Sequence, residues 1–181
     1  MNTQKKTVRL AKMAMLVAIS IVLVALIHIP IIPAVPFLEY DPADIPILIG
    51  TFAFGPGAGV LLTVVTSVIQ GVTVSAGSGA YGIIMHIIAT LVLVLTSGFI
   101  YRAKHEKTKK HAVIGLLAGT LAMTAIMIPA NMIVTPAFTG MPLEAIMDFM
   151  PGIILFNFIK AGINSLITFF VYKRISPFLH R

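Results

Sequence analysis

Residues 45–101, IPILIGTFAFGPGAGVLLTVVTSVIQGVTVSAGSGAYGIIMHIIATLVLVLTSGFIY, contain no Asp, Glu, Lys or Arg. A membrane-spanning helix needs roughly 20 apolar residues, so a charge-free stretch of this length holds more than one crossing or part-crossing of a bilayer. Two breaks of turn composition divide it, Gly55-Pro56-Gly57 and Ser75-Ala76-Gly77-Ser78-Gly79. The pieces predict helices over residues 44–55, 57–74 and 80–102, with Asp44 as N-cap and Pro46 in the first turn.

Outward from this stretch the same pattern repeats. Met13–Leu38, Ala112–Leu143, Phe149–Ile159 and Ala161–Tyr172 are also free of charge, and the whole chain is 58% hydrophobic and 10% charged, with mean hydropathy +1.01. This excludes an ordinary water-soluble domain and predicts an all-α membrane protein. A first helix is expected over 8–29, stopped by Pro30, Pro33 and Pro36, a fifth over 111–134, ending before Pro136, and a sixth over 151–174. Residues 1–181 then form a single integral membrane domain of six transmembrane helices. Lys5, Lys6, Arg9 and Lys12 before an apolar run resemble the start of a secretory signal. The run is too long and lacks a small-residue cleavage site, so an uncleaved first helix is expected.

Charge sets the orientation. With six helices, every Lys and Arg except Lys160 falls on one side: Lys5, Lys6, Arg9, Lys12, Arg102, Lys104, Lys107, Lys109, Lys110, Lys173, Arg174 and Arg181. By the positive-inside rule that side, with both termini, is cytoplasmic, and Glu39, Asp41, Asp44, Glu144 and Asp148 face outward. The net charge of +7 is thereby a matter of topology; no aromatic-interleaved basic patch points to nucleic acid. The chain has no cysteine, which excludes disulfides, thiolate nucleophiles and cysteine-ligated metals. It contains no Gly-Lys pair for a phosphate-binding loop, and neither a His-Glu-x-x-His nor a Gly-x-Ser-x-Gly pattern. No enzyme is expected, and any pumping must draw its energy from another protein.

A helix over 44–55 covers roughly 17 Å of a hydrocarbon core about 30 Å thick. The preceding segment, with Phe37, Leu38, Glu39, Tyr40 and Asp41, is therefore expected to dip into the bundle. Irregular backbone at that depth is buried in protein or lines a cavity. In the last helix, Asn157, Lys160 and Asn164 share one face. Facing inward, this stripe suits a polar heterocycle; the alternative is that Lys160 snorkels to the interface while the asparagines bond neighbouring helices. Asn131 lies at similar depth between Pro129 and Pro136, and serves either a ligand or the freed backbone groups. Tyr81 offers a ring face for stacking or is an interfacial belt residue. His86 is expected to be a hydrogen-bonded packing residue, since no His or carboxylate stands at metal-ligand spacing from it. Two small-residue seams, Ala11, Ala14, Ala18 and Ala25 on the first helix and Gly115, Ala118, Gly119 and Ala122 on the fifth, permit close helix approach, within the bundle or to a partner.

The stretch Leu38-Glu39-Tyr40-Asp41-Pro42-Ala43-Asp44-Ile45-Pro46, followed by Gly50-Thr51-Phe52-Ala53-Phe54-Gly55-Pro56, resembles the signature of riboflavin-specific S-components, the substrate-binding subunits of energy-coupling factor (ECF) transporters. Asn157-Phe158-Ile159-Lys160-Ala161-Gly162-Ile163-Asn164 is similar to their last helix, which Tyr172-Lys173-Arg174 closes, and Ala14-x-x-x-Ala18 to their alanine motif. The resemblance covers nearly the whole chain. It implies a high-affinity riboflavin-binding subunit in the plasma membrane of a prokaryotic cell. The flavin, a transported ligand and not a cofactor, would be held near the outer face by the first outer loop and the outer parts of helices four to six. It also implies that Ala14 and Ala18 face a separate transmembrane coupling protein attached to two ATPase subunits, which alone bind ATP. The alternatives are an S-component for another vitamin such as thiamine or pantothenate, a stand-alone channel or proton-coupled carrier with Lys160 as relay, and an intramembrane enzyme, which the scarcity of carboxylates in the middle helices disfavours.

Overall fold

In a computed structural model the described residues, 3–103 and 108–179, form six helices: α1 (Thr3–Leu26), α2 (Asp44–Phe54), α3 (Pro56–Val72), α4 (Gly79–Arg102), α5 (Lys109–Thr139) and α6 (Leu143–Leu179). Lys104, Lys107 and Arg181, counted above among the basic residues, lie outside the described residues. Four helices, α1, α4, α5 and α6, are long and apolar enough to cross a membrane, whereas α2 and α3 have 11 and 17 residues.

The shortness of α2 goes with its position. Every residue from Asp44 to Ala53 is buried, and α2 contacts α1, α3, α4 and α6. An apolar helix with no polar face belongs in a protein core or in lipid, and this one, too short to span, is enclosed by its neighbours. It ends at Gly55, whose φ of 106° is a left-handed conformation suited to glycine. Arg9 of α1 donates to the Phe54 carbonyl at 3.2 Å, and Arg102 of α4 to the Ala53 carbonyl at 3.4 Å. Two cations thus satisfy the free carbonyls and the negative end of the α2 dipole. They also bring the start of α1, the α2/α3 turn and the end of α4 to one end of the molecule. Behind this turn, Phe52, Tyr101 and Tyr172 cluster, with Phe52 to Tyr101 ring centroids 4.4 Å apart.

At the opposite end, residues 27–43 fold back over the bundle. Ile29–Pro30 and Glu39–Tyr40 pair as short antiparallel strands β1 and β2, in register Ile29 with Tyr40. Between them Val35 is fully buried, in a satellite core with Ile146, Met150, Ile153 and Phe156 of α6. Phe37 packs edge-on against Phe149 with centroids 5.7 Å apart. The loop is thereby tied to the first third of α6, and its last residues, Asp41 to Ala43, are buried.

Several sequence-based boundaries are corrected. Helix α1 stops at Leu26 instead of Ile29, because Ile29 enters the strand pair. Helix α5 runs through Pro129 and Pro136 to Thr139 instead of ending at 134. The carbonyls that Pro129 and Pro136 leave without an N–H are those of Ala125 and Met132; Asn131 Nδ2 and Thr139 Oγ1 bond other carbonyls one turn back, those of Met127 and Thr135, both at 2.8 Å. The stop is Gly140, in left-handed conformation with φ 70°. Helix α6 starts at Leu143, well before 151, with Glu144 in its first turn and Pro151 inside it. Asp44 is not an N-cap: the cap position is Ala43, without a side-chain bond, and Asp44 turns inward.

Candidate functional site

The loop, α3, α4, α5 and α6 enclose a cavity at the loop end of the bundle, with ≈ 130 Å³ open to the centre of a water molecule. Its wall is largely apolar, with Met85, Ala89, Met123, Met127 and Phe156, and its polar groups converge from three directions. The loop contributes Leu38, Glu39 and Asp41; α6 contributes Asn157 and Lys160; α3 and α4 contribute Ser67, Gln70, Tyr81, His86 and Thr90. An apolar pocket with a few converging polar groups is the usual form of a small-molecule site.

The loop and α6 are joined by charge. Lys160 Nζ donates to Asp41 Oδ2 at 2.6 Å, and both side chains are buried. Lys160 is therefore paired internally and does not snorkel. Asp41 stands in the connecting segment, outside the helices. Burial by itself pushes its carboxyl up, but Lys160 and the Ala43 N–H on Asp41 Oδ1 hold it below the usual range. Asn164 extends the junction: its Nδ2 donates to the Asp41 carbonyl at 3.2 Å and to Asp44 Oδ2 at 3.0 Å, and its Oδ1 accepts from the Tyr40 hydroxyl at 2.9 Å. Asp44 Oδ1 accepts from Thr90 Oγ1 at 2.7 Å. A buried carboxylate needs such partners, since stranding a charge in a low-dielectric interior is costly.

The sequence-derived residues divide accordingly. Leu38, Glu39, Asp41, Tyr81, Asn157 and Lys160 line the cavity. Tyr40 and Asn164 stand behind its wall and fix the loop to α6. Asn131 is fully buried, bonded to the Met127 carbonyl and to Thr135, which in turn contacts the Tyr81 hydroxyl at 3.0 Å. Tyr81 packs on Phe138 with centroids 5.3 Å apart. Glu39 is more exposed and pairs with His28 at 2.7 Å. Asn157 Nδ2 bonds the Ile153 carbonyl at 2.8 Å. His86, read as a packing residue without a nearby carboxylate, has one brought in from α2, with Nε2 3.6 Å from Asp44 Oδ1. Among the described residues, no three or more His, Cys, Asp or Glu side chains are placed to hold a metal.

On α1, Ala11, Ala14, Ala18 and Ala25 are all exposed, whereas Met13, Leu16, Ser20 and Val24 are buried. The alanine seam faces away from the bundle. The glycine seam of α5 is internal: a Cβ at Gly115 would meet the Ser97 carbonyl oxygen at 2.8 Å, and one at Gly119 would collide with the Ser97 hydroxyl.

A family model described as "ECF transporter, substrate-specific component" matches residues 8–172. The chain belongs to this family. The S component of a bacterial ECF transporter, of known structure, superimposes with a TM-score of 0.82 at 33% identity, over 99% of this chain and 100% of that one. The riboflavin transporter RibU of Staphylococcus aureus is 32% identical over 96% of this chain and 93% of its own length. The riboflavin transporter FmnP of Bacillus subtilis is 27% identical over 97% and 96%. This S-component is thus a membrane protein and belongs to a family of transporter subunits, not of enzymes.

Ser67, Gln70, His86, Thr90 and Asp44 of this S-component were not among the residues singled out for the site. Their signal is faint but present. Each is a polar side chain in or beside the charge-free run 45–101, where the bilayer penalises polarity, and Asp44 opens a helix too short to cross a bilayer alone.

Proposed function

We propose that this protein is the riboflavin-binding subunit of an ECF-type vitamin importer in the bacterial plasma membrane. It captures riboflavin at the outer face and delivers it with a transmembrane coupling protein and two ATPase subunits. The observation that carries the reading is the convergence of the Leu38–Asp41 loop and the Asn157–Lys160 segment of α6 on one cavity, in a chain whose full-length relatives are riboflavin transporters. A flat heterocycle with polar edges suits a slot walled by Met and Phe side chains, with an ammonium and amides at its rim. Leu38, Glu39, Tyr40, Asp41, Tyr81, Asn131, Asn157, Lys160 and Asn164 are the residues assigned to substrate, by contact or by holding the contacting groups in place. All six helices are taken to belong to the membrane domain, with both termini and the α2/α3 turn cytoplasmic. The exposed Ala14 and Ala18 are assigned to the coupling protein.

Calorimetry on the detergent-purified chain tests the substrate. Riboflavin is expected to bind one molecule per protein and to colour the protein yellow. Tight binding of thiamine or pantothenate with no riboflavin heat would overturn the assignment.

A further inference from the structure

The α3 side of the cavity carries polar groups that neither the loop nor α6 engages. Ser67 and Gln70 stand three residues apart on α3 and line the cavity together with His86 of α4. Just beyond Gln70 the helices approach closely at Gly71, where a Cβ would collide with Ile83 of α4. The Ser67 hydroxyl donates its hydrogen to the Thr63 carbonyl at 2.7 Å. His86 Nδ1 lies 2.7 Å from the same Ser67 Oγ, so that side of the ring is bonded within the bundle. Its Nε2 is buried without a hydrogen-bond partner, with Asp44 Oδ1 3.6 Å away, beyond hydrogen-bond distance. Gln70, 6% exposed, donates its amide N–H to Ser75 Oγ at 3.4 Å and leaves Oε1 buried and without a partner.

Two adjacent helices thus bring to one cavity two side chains that each hold a buried polar atom without a partner. A buried polar atom left unbonded is costly, and what offsets it is a ligand group able to bond it. Hydroxyl groups, which both donate and accept, match such a wall whichever ring nitrogen of His86 carries the hydrogen.

Resting on the riboflavin reading above, we propose that Gln70 and His86 form a specificity contact for the polyhydroxylated chain of riboflavin, hydrogen-bonded to its hydroxyl groups, with Ser67 holding the His86 ring in place. The contact is separate from the polar groups of the loop and α6.

The test compares two ligands on the full-length, detergent-purified chain by calorimetry or flavin fluorescence quenching. Lumiflavin has the same ring system as riboflavin, with a methyl group in place of the polyhydroxylated chain. Gln70→Leu and His86→Phe are each expected to weaken riboflavin about tenfold, as loss of a buried hydrogen bond does, and to leave lumiflavin within about threefold of wild type. His86→Gln, whose carboxamide can donate or accept in place of Nε2, should keep riboflavin within about threefold. Retained lumiflavin binding reports that each variant is folded. Equal weakening of both ligands, or no weakening of riboflavin, overturns the proposal while leaving the substrate intact. Wild-type protein that binds neither flavin overturns the substrate reading and this contact with it.

Discussion

Lys160 is the residue whose cost most needs an explanation. A lone ammonium in a membrane helix costs about 2.5 to 3.5 kcal/mol on insertion scales. Asp41 meets that cost from the loop, so the pair is at once a rim of the cavity and the clasp that holds the loop to α6. Removing one member of a buried pair strands the other, at about 3 to 5 kcal/mol, whereas replacing both by apolar groups is often close to neutral. Lys160→Ala is therefore expected to lower both riboflavin affinity, by tenfold or more, and thermal stability. Lys160→Met combined with Asp41→Leu should regain most of the stability without the affinity. Calorimetry alongside a thermal unfolding curve checks both, and a Lys160→Ala protein with unchanged affinity would remove α6 from the site.

At the scale of the helices, two seams that look alike in sequence have opposite roles. The Gly115 and Gly119 side of α5 is closed against Ser97 and Leu93 of α4. The Ala14 and Ala18 side of α1 is exposed. Bulk should therefore act differently at each. Gly119→Leu is expected to destabilise the isolated protein by about 1 to 3 kcal/mol, the usual range for overpacking, seen as a lower unfolding midpoint. Ala14→Trp and Ala18→Trp should leave stability and riboflavin binding unchanged, yet fail to co-purify with the coupling module and fail to support uptake, because a bulky ring holds a partner helix away. Joint loss of binding and association would make the alanine seam an internal contact; uptake that survives both changes would make the chain a stand-alone carrier.

For the whole molecule, Arg9 and Arg102 gather the start of α1, the α2/α3 turn and the end of α4 at one end, and the loop and cavity lie at the other. In the proposed topology, read from the distribution of Lys and Arg, the first end is the cytoplasmic one. Because the chain has no cysteine, single replacements report orientation directly. In intact cells, Asp148→Cys is expected to react with a membrane-impermeant maleimide, whereas Lys109→Cys should react only after the membrane is opened. Labelling of Lys109→Cys from outside would reverse the assigned topology.

The sequence by itself determined the number of helices and their membrane character, and reduced the polar face of α6 to two readings, inward or snorkelling, because a bilayer imposes strong, local penalties. A charge-free run, a cluster of Lys and Arg, and an Asn-Lys-Asn stripe at helical spacing each carry their meaning within one element. The loop was legible for the same reason, since a helix as short as α2 cannot cross alone. What only the tertiary structure decided depends on contacts between residues far apart in the chain. Asp44 reads as a helix cap until Thr90 and Asn164 are seen to receive it, and His86 reads as packing until Ser67 and Asp44 stand beside its two nitrogens. Pro136 reads as a helix end, yet the helix runs on through it to Thr139 and stops only at Gly140. Which seam is free and which is closed was likewise left open, since a small side chain permits close approach without naming the surface that comes to meet it.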